Sequence, residues 1–143
     1  MAKRILAPLN GGAGSEAIVP IVAAMADHMG STVRLLRVFP VPDMVMGTRG
    51  RTIAYADQEM ERLAGGARVD LARIESEVPG VSVEGVVRFG DPAEEIVLEA
   101  EAFNADLIAL TGARRGWLRR ALAGDVADRV SEKSSVPTLV LRD

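Results

Sequence analysis

Apolar residues recur along this chain in two rhythms, short unbroken runs and stripes at every third or fourth position, and the two alternate from end to end. Ile5 to Leu9 and Leu107 to Leu110 are unbroken, the pattern of central parallel strands covered by helices on both faces. Val33 to Val38 and Val81 to Arg88 are interrupted by polar residues and suit outer positions of the same sheet, and Thr138 to Leu141 supplies a last strand. Between them, Ile18, Val22, Met25 and Met29 form one helical stripe, and Met60, Leu63, Ala67, Leu71, Ile74 and Val78 form a second. Ile96, Ala100 and Phe103 form a third, opened by Asp91-Pro-Ala-Glu94, which combines an acidic N-cap, proline at the first helical position and glutamate three residues after the cap. Gly30 reads as a left-handed cap of the first helix, whereas Gly65-Gly66 inside the second predicts a kink or a close approach. The last helix is expected from Asp125 to Lys133, with Pro137 fixing entry to the final strand.

Strands joined by helical crossovers need right-handed connections, so the pattern predicts one α/β domain over residues 1–143. It is a flavodoxin-like, doubly wound sheet of five parallel strands in the order 3-2-1-4-5, with helices on both faces. That order reverses between strands 1 and 4, and a ligand crevice is expected at their carboxyl ends. The segments there are Pro8-Leu-Asn-Gly-Gly12 and Thr111 to Gly124. The final strand would be a free edge, yet Leu139-Val-Leu141 is apolar and uncharged. Self-pairing of Thr138 to Leu141 into a homodimer satisfies that edge, and cover by the chain's own loops is the alternative.

Composition narrows the chemistry. There is no cysteine and one histidine, His28, so thiolate and histidine-cluster metal sites are excluded; His28 reads as a surface residue near the end of helix 1. No apolar run approaches the roughly 20 residues of a membrane span, and a cytoplasmic location is expected. A net charge of −3 with 3% aromatic residues argues against nucleic acid as the main partner.

The stretch from Thr111 to Val126 departs from this acidic background. Gly112, Gly116 and Gly124 permit close approach of backbone to a ligand, Arg114, Arg115, Arg119 and Arg120 add four cations, and a helix start follows. This is the composition of a phosphate site, with one conflict: Asp125 stands where helix amides would receive the anion. Asp125 also reads as an ordinary N-cap, and the arginines as a partner-binding patch or a solvated face. Trp117 reads as a lid on its own subunit in preference to an aromatic anchor for a partner or base, and Pro40 to Gly50, with Met44 and Met46, as a long connection or a flap over the crevice. Gly12-Ala-Gly-Ser-Glu-Ala17 matches a dinucleotide-binding glycine pattern, but no acid ends strand 2 to hold a ribose, and no P-loop is present. No nucleophile has an adjacent histidine and no carboxylate pair stands at the crevice, so the chain reads as a non-enzyme with, at most, slow incidental ATP hydrolysis.

The chain resembles the universal stress protein family along nearly its whole length. The resemblance is carried by Ile5-Leu-Ala-Pro-Leu-Asn-Gly, Leu36-Arg-Val38, Gly90-Asp-Pro-Ala-Glu-Glu-Ile96, Ala105-Asp-Leu-Ile-Ala-Leu110 and Val136-Pro-Thr-Leu-Val140, in this order and spacing. It implies a stress-response regulator that often dimerises through its last strand and, in many members, binds an adenine nucleotide, ATP or AMP, with Mg as companion of the triphosphate. Carried over residue by residue, Pro8 lies near the end of strand 1, Asn10 just after it contacts ribose or base, Val38 meets adenine through its backbone, and Gly112, Arg115, Gly116 and Gly124 surround phosphate, with Asp125 in place of the family's Ser or Thr. The glycine loop is one residue short, and Asn10 replaces the family's usual acid. The resemblance therefore implies an intact adenosine half and an altered phosphate half. The rival reading is a homodimeric interaction module that binds no nucleotide and presents the Arg-rich loop.

Overall fold

The computed structural model describes residues 3–12, 14–42, 49–112 and 125–142, with the backbone alone for 49–55. Its elements are β1 (Arg4–Leu9), a 3-10 turn (Ser15–Ala17), α1 (Ile18–Met29), β2 (Thr32–Phe39), α2 (Arg49–Ser76), β3 (Ser82–Phe89), α3 (Pro92–Phe103), β4 (Leu107–Thr111), α4 (Val126–Lys133) and β5 (Thr138–Leu141). The strands form one parallel sheet in the order β3-β2-β1-β4-β5, as the alternation of patterns predicts.

Period-two geometry sorts the unbroken strands into two cores. Ile5, Ala7 and Leu9 of β1, Val33 and Leu35 of β2 and Ala109 of β4 meet Ile18, Val22 and Ala26 of α1 and Leu71 and Ile74 of α2. Leu6, Leu36, Ile108 and Leu110 point the other way, onto Ala93, Ile96, Ala100 and Phe103 of α3 and Ala127 and Val130 of α4. A strand buried on both faces has no polar position to spare, which is why β1 and β4 read as continuous runs.

Both expected caps are present. Gly30 is left-handed at φ 65°, with its amide bonded to the Ala26 carbonyl, and the Asp91 side chain accepts from the Glu94 amide at 3.1 Å. Helix α2 begins well before Met60, inside the segment read as a connection, and Ala56 extends its buried stripe toward the amino end with a side chain too small to register as an apolar run. Met44 and Met46 lie outside the described residues.

At Gly65 and Gly66 the helix continues and an added Cβ would meet none of the described residues within 4 Å, so among these residues the glycines do not serve close packing. The close approach lies at Gly85 in β3, where a Cβ would stand 3.0 Å from Leu71 of α2. Gly66→Ala is therefore expected to raise stability by about 1 kcal/mol, by restricting the unfolded chain and favouring the helix. A urea titration checks this, and an unchanged or lower midpoint would contradict it.

The polar interruptions of the outer strands prove to be a network. Glu99 of α3, 4% exposed, receives Arg34 of β2 at 2.5 Å and Arg88 of β3 at 2.6 Å. Glu84 and Glu95 add a second carboxylate to Arg34 and Arg88 respectively. The Arg34 guanidinium also lies 4.1 Å from the centre of the Phe103 ring. Among the described residues, no helix is long and apolar enough to cross a membrane.

Candidate functional site

The sheet opens where its order reverses, and Pro8 marks the place. The β1–β2 ladder runs to Leu9 opposite Arg37, but β1 and β4 pair only as far as Leu6 opposite Ile108. Proline has no N–H to donate, so the ladder to β4 cannot continue through it, and the two strands part over their last residues. The gap is a crevice of about 330 Å³ lined by Pro8, Asn10, Val38, Gly112 and Asp125, together with Ser15, Ile96 and Val126. Five positions selected from sequence thus converge here; Arg115, Gly116 and Gly124, like Trp117, lie outside the described residues.

Each wall has a local cause. After β1 the chain turns on Asn10, whose Oδ1 accepts from the Gly12 amide at 2.8 Å. The buried Ser15 hydroxyl accepts from the Asn10 amide at 3.1 Å and donates to the Gly12 carbonyl at 2.9 Å, which fixes the turn. The Asn10 side-chain nitrogen, Nδ2, is left for a ligand, with no protein acceptor among the described residues.

Val38 contributes its backbone. The Phe39 carbonyl accepts from Gly90 on the β3 side at 2.9 Å, and successive residues of a strand turn their peptide groups to opposite sides. The Val38 carbonyl therefore faces the β1 side, beyond the last β1 pair. It is an acceptor at the crevice mouth, suited to an exocyclic amine. The apolar side of the crevice comes from Ile96 of α3 and from Val126 at the start of α4. Arg129 donates to Asp91 at 2.8 Å and joins α4 to the N-cap of α3 across this wall; with the Glu94 amide it holds the Asp91 carboxyl below the usual carboxylate range.

The phosphate end differs from a simple glycine cradle. The Gly112 amide donates to the Leu141 carbonyl at 2.8 Å and so belongs to the β4–β5 junction. A Cβ at Gly112 would stand 2.7 Å from Nη1 of Arg142 and 2.9 Å from Val140, so this glycine makes room for a guanidinium. Asp125 occupies the N-cap position of α4, but its side chain makes no cap bond; Oδ2 accepts from Arg142 Nη1 at 2.9 Å instead. Arg142 Nη2 reaches Asp128 Oδ1 at 2.7 Å. The reading of Asp125 as a capping side chain is thereby corrected: a cation within reach competes successfully for the carboxylate, at the strength of a charge-assisted bond.

Sequence reasoning missed Ser15, Ile96, Val126 and Arg142 as parts of this site. Ser15 and Val126 lie within segments already singled out. Arg142 gave no signal, since an isolated cation at the end of a chain has no spacing to read.

Comparison with known proteins agrees with this architecture. The profile of the universal stress protein family matches residues 1–142. The chain is 27% identical to Universal stress protein MJ0577 of Methanocaldococcus jannaschii, over 99% of this chain and 96% of that protein. It is 39% identical to Stress response protein NhaX of Bacillus subtilis over 54 residues, which is 37% of this chain and only 32% of NhaX. The solved MJ0577 structure superposes with a TM-score of 0.82 at 26% identity, over 99% of this chain and 96% of that one. A universal stress protein in complex with cAMP (TM-score 0.67, 14% identity, 99% and 97% covered) shares the fold. So does one from Archaeoglobus fulgidus in complex with dAMP (TM-score 0.60, 20% identity, 98% and 97% covered). With its fold, its order of motifs and a family match over nearly every residue, the chain belongs to the universal stress protein family.

Proposed function

We propose that this protein is a cytosolic regulator of the stress response that takes an adenine nucleoside or nucleotide into the crevice between β1 and β4. The observation that carries the reading is the Val38 carbonyl turned into the mouth of a crevice that Pro8 opens and Asn10 flanks. Adenine offers an amine to that carbonyl, the ribose offers hydroxyls to Asn10, and Ile96 and Val126 supply the apolar contact a base needs. Family members in complex with cAMP and dAMP support the same ligand class. ATP with Mg and AMP are the ligands that the resemblance of the glycine loop implies. A second copy paired along Thr138–Leu141 would cover β5, where Leu139 is 38% exposed, and sedimentation equilibrium giving twice the chain mass would support this.

Calorimetric titration with adenosine, AMP and ATP, with and without Mg, tests the ligand reading. Saturable binding of an adenosine-containing ligand at one site per chain is expected. Absence of heat with all of them would shift the function to the Arg-rich loop as a partner-binding surface.

A further inference from the structure

Resting on that reading of the crevice, we infer that Asn10 presents its Nδ2 donor to the ligand, so that the site favours adenosine phosphorylated on the 2′ or 3′ oxygen of its ribose. The turn after β1 sets this polarity. The Gly12 amide can only donate, so the Asn10 atom that it meets at 2.8 Å is the carbonyl oxygen, and Nδ2 with its two protons is the polar atom that remains. The buried Ser15 hydroxyl locks the arrangement by accepting from the Asn10 amide and donating to the Gly12 carbonyl. Gly11 completes the turn in the left-handed region at φ 87°, and a Cβ at Gly12 would stand 3.2 Å from Oδ1.

A ribose hydroxyl accepts from Nδ2 only while turning its own proton to water, at the strength of a neutral hydrogen bond. A phosphate dianion offers acceptor oxygens alone and forms a charge-assisted bond about twice as strong. Asn10 is exposed and lines the crevice, so such a phosphate keeps its other oxygens in water while the base lies against Val38. A carboxylate at position 10 has the opposite preference, since it accepts from ribose hydroxyls and repels a phosphate held in the same place. Asparagine and aspartate both supply the oxygen that the Gly12 amide requires, so the two differ toward the ligand and not in the turn.

The test is calorimetry of the wild type and Asn10→Asp with adenosine and its 2′-, 3′- and 5′-monophosphates, each protein shown to be folded by its urea midpoint. The wild type is expected to bind the better of the 2′ and 3′ isomers about tenfold more tightly than adenosine, and Asn10→Asp to bind both isomers more weakly than adenosine. The 5′-monophosphate carries its charge at the other end of the ribose, so the substitution should change its affinity several-fold less. In NMR spectra of the wild type, the side-chain NH2 pair of Asn10 should shift further with the favoured isomer than with adenosine. Adenosine bound as tightly as both isomers or more so, a ratio unmoved by Asn10→Asp, an equal response of the 5′-monophosphate, or an unmoved NH2 pair would overturn the inference while leaving the crevice reading in place. Failure of the wild type to bind adenosine and all three monophosphates would remove the crevice reading itself, and the inference with it.

Discussion

Replacing Glu99 with alanine is expected to lower the unfolding free energy by about 3 kcal/mol, near the lower end of the cost of removing one partner from a buried ion pair. Among the described residues Glu99 is the only carboxylate shared by Arg34 and Arg88, and through them it joins α3 to β2 and β3. Without it, two guanidinium groups, 22% and 27% exposed, lose their least exposed acceptor. They retain Glu84 and Glu95, which keeps the loss below the upper end of that range. The change also leaves a space between α3 and the sheet beside Phe103, against which Arg34 is stacked. Glu99→Gln preserves the shape and an acceptor oxygen, and is expected to cost about half as much. Chemical denaturation of the three proteins decides the matter. A loss of less than about 1 kcal/mol for the alanine variant would mean that the network behaves as exposed surface pairs do.

The second large effect concerns ligand rather than fold. Val126→Trp is expected to weaken adenosine binding by at least about tenfold, roughly 1.4 kcal/mol or more, with little change in stability. Ligand clefts span roughly 300–1,000 Å³, and this crevice, at about 330 Å³, lies near the lower end of that span. Val126 begins α4 and lines the crevice while packing at the edge of the α3 and α4 core, so an indole there projects into open space rather than into packed side chains. Titration of the variant with adenosine, alongside its urea midpoint, separates the two effects. Undiminished binding by a folded Val126→Trp variant would show that the ligand lies elsewhere.

The fold was legible because each level of the sequence agreed with the next. The unbroken runs of Ile5 to Leu9 and Leu107 to Leu110 required cover on both faces, and the polar interruptions at Arg34, Glu84 and Arg88 placed their strands outward. The same interruptions become the acceptors and donors of the Glu99 network, a use that spacing alone does not reveal, since it depends on which helix lies over them. The start of α2 was obscured by alanines, and Gly65-Gly66 suggested a packing role that the neighbouring side chains do not provide.

The site was legible in part, and the division has a physical cause. Pro8, Asn10 and Val38, which the resemblance singled out, shape the crevice through the backbone or through a local turn, features set by chain geometry over a few residues. Asp125 acts through a partner 17 residues away, and its two readings, cap or anion guard, could not be separated without knowing that Arg142 reaches it. Gly112 was read as a point where backbone approaches a ligand; the group beside it in the structure is a guanidinium of the same chain.

Whether adenine lies against the Val38 backbone is tested directly by amide NMR of the isotopically labelled protein titrated with adenosine. The predicted result is a set of saturable shifts at the amides of Phe39, Asn10 to Gly12 and the start of α4 near Val126, with the cleft-remote amides of α1 and the amino end of β3 unmoved. Shifts gathered anywhere else, or none at saturating adenosine, would contradict it.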